Sequence, residues 1–202
     1  MSRSSAGDAL VIDPGAEPER ISTALAEAGL QCVAILVTHA HHDHVGAVSP
    51  VARGHGCPVY LSSGEAHMLR NLEDEAVPGF DGLESYEPDV NLQGDERFSL
   101  AGLDIQTHFA PGHSPAGLVF EITEPSSGQV ALFVGDVIFK GSVGRTDFAG
   151  GSFATLEDSI VRLYESCPLD APVLSGHSGP TTLADELRTN PFLDGVRRRV
   201  AS

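Results

Sequence analysis

Apolar positions along the chain change period several times, and each change marks an element. Residues 8–14 (DALVIDP) form a short apolar run closed by Pro14 and Gly15, which predicts a strand. The next segment, EPERISTALAEAG, places Ile21, Leu25 and Ala28 at helical spacing before Gly29, which predicts a helix. CVAILVT, residues 32–38, is a continuous run rich in β-branched residues and predicts a strand buried on both faces. A helix over 48–53, a strand over 58–61 and a helix over 64–72 continue the alternation, although glycines beside His55 weaken the pattern there. After a polar stretch at 71–91 come four strand-type runs, ERFSLAG, LDIQTHFA, LVFEITE and QVALFVGD. The turn signals AG, PGHSPAG and PSSG separate them, and together they predict a mostly antiparallel meander. A helix over 156–165, a strand over 172–174 and a helix over 183–189 return to the alternating style. Two such halves with their sheets facing each other would give a helix-covered sandwich.

Composition narrows the classes. At 202 residues and 41% hydrophobic content, the chain is long enough for a single well-cored domain, 1–202. No apolar run reaches the roughly 18 residues of a membrane span, and MSRSSAG lacks the apolar stretch of a signal peptide, so a cytoplasmic protein without a membrane partner is expected. The three cysteines, Cys32, Cys57 and Cys167, are far apart and form no C-x-x-C pair. They read as small buried hydrophobes rather than a disulfide framework or a thiolate metal site. A formal charge of −16 argues against a nucleic-acid partner, since the only basic cluster, Arg197 to Arg199, reads as a solvated terminus.

Four of the nine histidines crowd into THAHHDH, residues 38–44, at the end of the predicted buried strand. Imidazoles at i and i+2 of an extended segment turn toward one point, and Asp43 and His44 reach a second point a few ångströms away. His42, between them, would point elsewhere. First-row cations accept nitrogen and carboxylate oxygen, and paired ions in hydrolases lie about 3.5–4 Å apart. The cluster alone supplies too few ligands for two ions, so further donors are expected on loops after strands. Three positions qualify: His113 in APGHSPAG, Asp136 after ALFVG and His177 after PVLSG, each with a glycine beside it. Taken singly, each reads as well as a turn or a hydrogen-bonded loop residue. His55, His67 and His108, like His42, have no comparable context and default to structural or surface roles.

THAHHDH, PGHSPAG, FVGD and SGHSGP, in this order and spacing, resemble the metallo-β-lactamase superfamily over nearly the whole chain. The resemblance implies an α/β fold, an αββα sandwich of two facing mixed sheets with helices on the outer faces. Family members usually begin with one or two strands before the segment matching LVIDPG. Only MSRSSAGDA precedes it here, so the expectation is either a reading frame started late or a sheet that has lost an edge strand. The resemblance also implies His39, His41 and His113 on a first metal, Asp43, His44 and His177 on a second, and Asp136 bridging both. Zinc is the expected metal, with iron or manganese also compatible with such donors.

Metallo-β-lactamases lack the bridging aspartate, so antibiotic hydrolysis is not expected. VIFKGSVGRTDFAGG and GHSGPTTLADELRTNPF resemble short glyoxalase II-like hydrolases, which implies a hydroxide shared by two ions attacking a thioester such as S-D-lactoylglutathione. Asp43 would then both bind metal and orient the nucleophile. Lys140 and Arg145 are candidates for the substrate carboxylates, with an Arg145–Asp147 pair bracing the loop as the equal alternative for Arg145. Other readings of the same residues are a persulfide dioxygenase with one iron, a lactonase, and a weakened scaffold.

Overall fold

The computed structural model describes residues 7–74 and 82–200. The first six residues and 75–81 of the polar stretch therefore lie outside the description. The chain divides into two compact units, the first running to Leu92 and including Ser99–Gly102, the second comprising Gln93–Phe98 and everything from Leu103 onward.

The first unit runs β1 (Gly7–Ile12), α1 (Pro18–Glu27), β2 (Leu30–Leu36), α2 (His42–Val45), α3 (Val48–His55), β3 (Val59–Ser62), α4 (Ala66–Arg70), a 3-10 turn at Leu72–Asp74 and β4 (Val90–Leu92). Its sheet has the order β1-β2-β3-β4, and every pairing is parallel. Parallel neighbours need crossover segments, and the helices supply them. Pro18 starts α1 with a preset φ, and Gly29, at φ +64°, stops it where a side chain would be strained. Ile35, Val37, Val45, Val48, Val51, Val59, Leu61 and Leu69 form a core of their own, with Ile21 and Leu25 of α1 packed against it. Cys32 and Cys57 lie within this core with their sulfurs 3.5 Å apart, a proximity the 25-residue spacing conceals. Burial, with Cys32 alongside, pushes the Cys57 thiol up to about 12.

β5 (Arg97–Leu100) is divided between the units, and the second unit continues with β6 (Leu103–Phe109), β7 (Leu118–Glu124), β8 (Gln129–Gly135), β9 (Ile138–Phe139), β10 (Ser142–Val143), α5 (Phe153–Ser166), β11 (Pro172–Ser175), β12 (Thr181–Thr182), α6 (Leu183–Thr189), a 3-10 turn at Pro191–Leu193 and α7 (Asp194–Val200). Its sheet order is β12-β11-β8-β7-β6-β5. The meander β6-β7-β8 is antiparallel as expected, while β8 and β11 pair in parallel. Leu156, Ile160, Leu163 and Tyr164 repeat at i, i+4, i+7 and i+8 along α5 and are buried against Leu132, Val134 and Val173. Burying side chains of this size stabilises by roughly 1.5–3 kcal/mol each.

Three expectations change. α5 starts at Phe153 rather than 156, because Ser152 caps it by accepting the Thr155 N–H. The arginine triplet is solvated only in part: it lies in α7, where Arg198 and Arg199 are exposed, while Arg197 donates to the carbonyls of Leu187 and Asn190 at 2.9 and 3.0 Å. The polar stretch ends in β4, which pairs with β3. Among the described residues no helix is long and apolar enough to cross a membrane.

Candidate metal centre

In the first unit the chain leaves β2 at Leu36, bends at Thr38 and enters α2 from an extended His41. The rings of His39 and His41 stand 4.7 Å apart edge to face, and those of His39 and His44 4.0 Å apart. His39 and His44 are almost fully buried, whereas the Asp43 side chain is 37% exposed with a carboxylate oxygen 3.8 Å from His44 Nε2. The cluster is fixed from behind by Asp13, which sits just past β1 with a left-handed φ of +48°. Its carboxylate accepts the Thr38 N–H at 2.7 Å, the Thr38 hydroxyl at 2.6 Å and, at 2.9 Å, His44 Nδ1. A hydrogen held on Nδ1 by a carboxylate leaves the Nε2 lone pair of the neutral ring for a cation. Glu65, fully buried, accepts the Ala40 N–H at 2.7 Å and pins the segment between His39 and His41. Neither carboxylate was singled out from the sequence. The available signal was an aspartate closing an apolar strand in IDPG, which reads equally as a turn former. Gly15 completes the support, since a Cβ there would lie 1.7 Å from the carbonyl oxygen of Asp43.

In the second unit three ligand candidates stand together. Asp136 follows β8, His113 lies in the loop between β6 and β7, and His177 follows β11. His113 Nε2 is 3.6 Å and His177 Nε2 3.5 Å from the same oxygen, Asp136 Oδ2. His113 Nδ1 lies 2.7 Å from the carbonyl oxygen of Arg145. A carbonyl only accepts, so Nδ1 donates its hydrogen there, and Nε2 is the ring nitrogen that faces Asp136. The loop is braced by the Ser152 N–H donated to the Gly112 carbonyl at 2.7 Å and the Ser159 hydroxyl donated to the Pro111 carbonyl, also at 2.7 Å. Gly144 lets the chain pass this point: a Cβ there would meet the Asp136 carbonyl at 1.8 Å and His113 Nδ1 at 3.1 Å.

The donor set fits first-row cations. Both imidazole nitrogens stand beyond hydrogen-bond range of Asp136 Oδ2, near the roughly 3.4 Å edge of a tetrahedron of ligands about 2.1 Å from an ion.

Lys140 is exposed at the turn of the β9–β10 hairpin, whose backbone is held on several sides. Asn190 Nδ2 donates to the carbonyls of Phe139 and Ser142, Glu186 accepts the Gly141 N–H at 2.8 Å, and Ser178 Oγ accepts the Lys140 N–H at 3.0 Å. Arg145 follows this hairpin. Its guanidinium makes a two-point pair with Asp147 at 2.6 and 2.7 Å and lies over the Phe148 ring, 4.2 Å from the centroid. The pair holds the Asp147 carboxyl at about 2, below its usual range. His55 meets Ser22, as its default structural role expects. His108 does not stand alone: it joins Glu121 and Cys167.

The sequence matches the family model of the metallo-beta-lactamase superfamily over residues 3–177. It is 34% identical over 191 residues to hydroxyacylglutathione hydrolase GloC of Haemophilus influenzae, covering 93% of this chain and 88% of that one. Among solved structures, TTHA1623 in a di-iron-bound form is 39% identical with a TM-score of 0.74, over 90% of this chain and 88% of that one. BLEG-1 B3 metallo-beta-lactamase is 36% identical with a TM-score of 0.79, over 93% and 90%. The two sheets with their helices, and a sequence match spanning most of its length, make this chain a metal-dependent hydrolase of the metallo-β-lactamase superfamily.

Proposed function

We propose that the protein is a single functional domain in which His39, His41 and His113 hold one divalent ion, Asp43, His44 and His177 hold a second, and Asp136 bridges them. The substrate is a thioester of glutathione, with S-D-lactoylglutathione as the first candidate. The observation that carries the dinuclear reading is Asp136 Oδ2 between two imidazole nitrogens at 3.5 and 3.6 Å, the position a bridging carboxylate needs. The likeness to a hydroxyacylglutathione hydrolase supports the substrate class. Zinc is the metal we favour, and the likeness to a di-iron protein makes iron its rival.

Two such ions, when bound, supply a water acidic enough to ionise near neutral pH and a Lewis acid for the thioester carbonyl oxygen. The remaining work belongs to the chain. Asp43, the exposed member of its cluster, orients the attacking water. Asp13 and the Arg145 carbonyl hold His44 and His113 in the tautomer that leaves Nε2 as the donor. A departing thiol with an ordinary pKa of about 8.5 leaves largely as thiolate, so no protein acid is required. Lys140 meets a substrate carboxylate from its fixed hairpin. Arg145 does so only by sharing or leaving Asp147, and this competition makes Lys140 the stronger candidate.

The likeness to BLEG-1 favours β-lactam hydrolysis as a second reading. One preparation separates these activities: elemental analysis, then hydrolysis of S-D-lactoylglutathione and of a chromogenic cephalosporin, and oxygen uptake on glutathione persulfide. About two metals per chain with thioester turnover is the expected result. One iron with oxygen uptake, or cephalosporin turnover exceeding thioester turnover, would replace the proposal. A metallated His113→Ala variant with full activity would remove His113 from the centre.

A further inference from the structure

We propose a second metal site, separate from the seven ligands above, formed by His108 of β6, Glu121 of β7 and Cys167 at the C-terminal cap of α5. The three donor atoms lie within 4.8 Å of one another. His108 Nε2 is 2.9 Å from Glu121 Oε2 and 3.5 Å from Cys167 Sγ. Strand register explains the meeting: His108 pairs with Val119 and Gln106 with Glu121, so His108 and Glu121 are diagonal neighbours on one face of the sheet. That face also carries Val119 and Leu132, which pack against α5, and the end of that helix brings Cys167 down beside them.

The geometry distinguishes a cation site from a catalytic relay. In a cysteine–histidine–acid relay the thiol and the carboxylate use opposite ring nitrogens. Here both approach Nε2, and one ring nitrogen has a single hydrogen or a single lone pair to offer. A cation at the point of convergence takes the imidazole, the carboxylate and the thiolate together. The N···S spacing of 3.5 Å matches two ligands on one tetrahedral zinc-type ion with bonds of about 2.1 and 2.3 Å, whereas the 2.9 Å between His108 Nε2 and Glu121 is a hydrogen bond that must open to about 3.4 Å when an ion enters. The mixture of sulfur, nitrogen and oxygen selects a first-row transition metal over calcium or magnesium. His108 and Glu121 side chains are 14% and 18% exposed while Cys167 is buried, which leaves a route for the ion and room for a water as fourth ligand. Without an ion, burial and the neighbouring Glu121 keep the thiol protonated, its pKa pushed up to about 12. Binding therefore releases that proton as the sulfur–metal bond forms. The site would tie the end of α5 to the β6–β7 ribbon.

Cobalt(II) substitution tests this without any activity assay, because none of the seven ligands of the proposed hydrolytic centre is a cysteine. The full-length metal-free protein, titrated with cobalt(II), is expected to develop a near-ultraviolet thiolate-to-cobalt charge-transfer band. The band should be lost in Cys167→Ser and Glu121→Gln and retained in Cys32→Ala, whose sulfur belongs to the other thiol pair. Circular dichroism of each variant verifies folding, and His108→Gln provides a third variant if either of the first two fails to fold. A titration with no band, a band that survives Cys167→Ser, or one that does not saturate below millimolar cobalt would overturn the proposal.

Discussion

Asp13 accepts three hydrogen bonds and touches two residues of the histidine cluster, so its replacement tests how far metal affinity depends on support rather than ligation. Asparagine tolerates the left-handed φ of this position, so Asp13→Asn keeps the backbone while it removes the charge and sets an NH2 donor where an acceptor oxygen stood. Metal affinity, read by chelator competition, is expected to fall about 10–100-fold. Unchanged affinity would confine Asp13 to a folding role. Arg145 offers the opposite test, because the structure already gives it a partner. With the Asp147 carboxyl at about 2 against an ordinary 3.8, the pair's contribution is present above the ordinary value and lost as pH falls through about 2. Arg145→Ala is therefore expected to raise KM for glutathione thioesters no more than for neutral thioesters; a selective rise would give Arg145 a substrate contact. The ligand candidates were legible because four histidines crowd at the end of one apolar run, and because His113, Asp136 and His177 each follow an apolar run directly after a glycine. Asp13, Glu65 and the His108–Glu121–Cys167 group were not, since strand register and a helix end, invisible in a local window, bring them to their partners.

At the scale of the element, α5 shows what sequence period supplies and what it omits. Its apolar repeat predicts the buried stripe from Leu156 to Tyr164, but not the start at Phe153, because Ser152 caps Thr155 without the acidic residue that would complete a recognisable box. The two-residue strands β9, β10 and β12 are too short to carry any period. The N-terminal turn of α5 also sets the His113 loop. Gly112 has φ +130°, and a Cβ on it would lie 2.3 Å from the Leu156 nitrogen and 2.4 Å from its Cα. Gly112→Ala is thus expected to cost about 3 kcal/mol in denaturant unfolding and to lower metal occupancy with it. Ser152→Ala, which removes only the cap, is expected to cost about 1 kcal/mol with occupancy intact. Equal stability losses in the two variants would count against a steric role for Gly112.

For the whole molecule, the formal charge of −16 is offset by a quarter when two divalent ions bind, and each ion stabilises the state that holds it. At metal concentrations a hundredfold above Kd, each site contributes about 2.7 kcal/mol. Chelation is therefore expected to lower the thermal midpoint by roughly 5–10 °C per ion lost, a shift calorimetry resolves and metal restores. An unchanged midpoint after full removal would argue that the ligands hold no ion in the native state. The clamped β9–β10 hairpin carries a further consequence, for kinetics. With the carbonyls of Phe139 and Ser142 tied to Asn190 and the Gly141 N–H tied to Glu186, the conformational entropy of this turn is spent during folding, before any encounter. Association beside Lys140 then awaits diffusion and orientation rather than loop closure, and stopped-flow traces should rise in proportion to substrate concentration without a plateau.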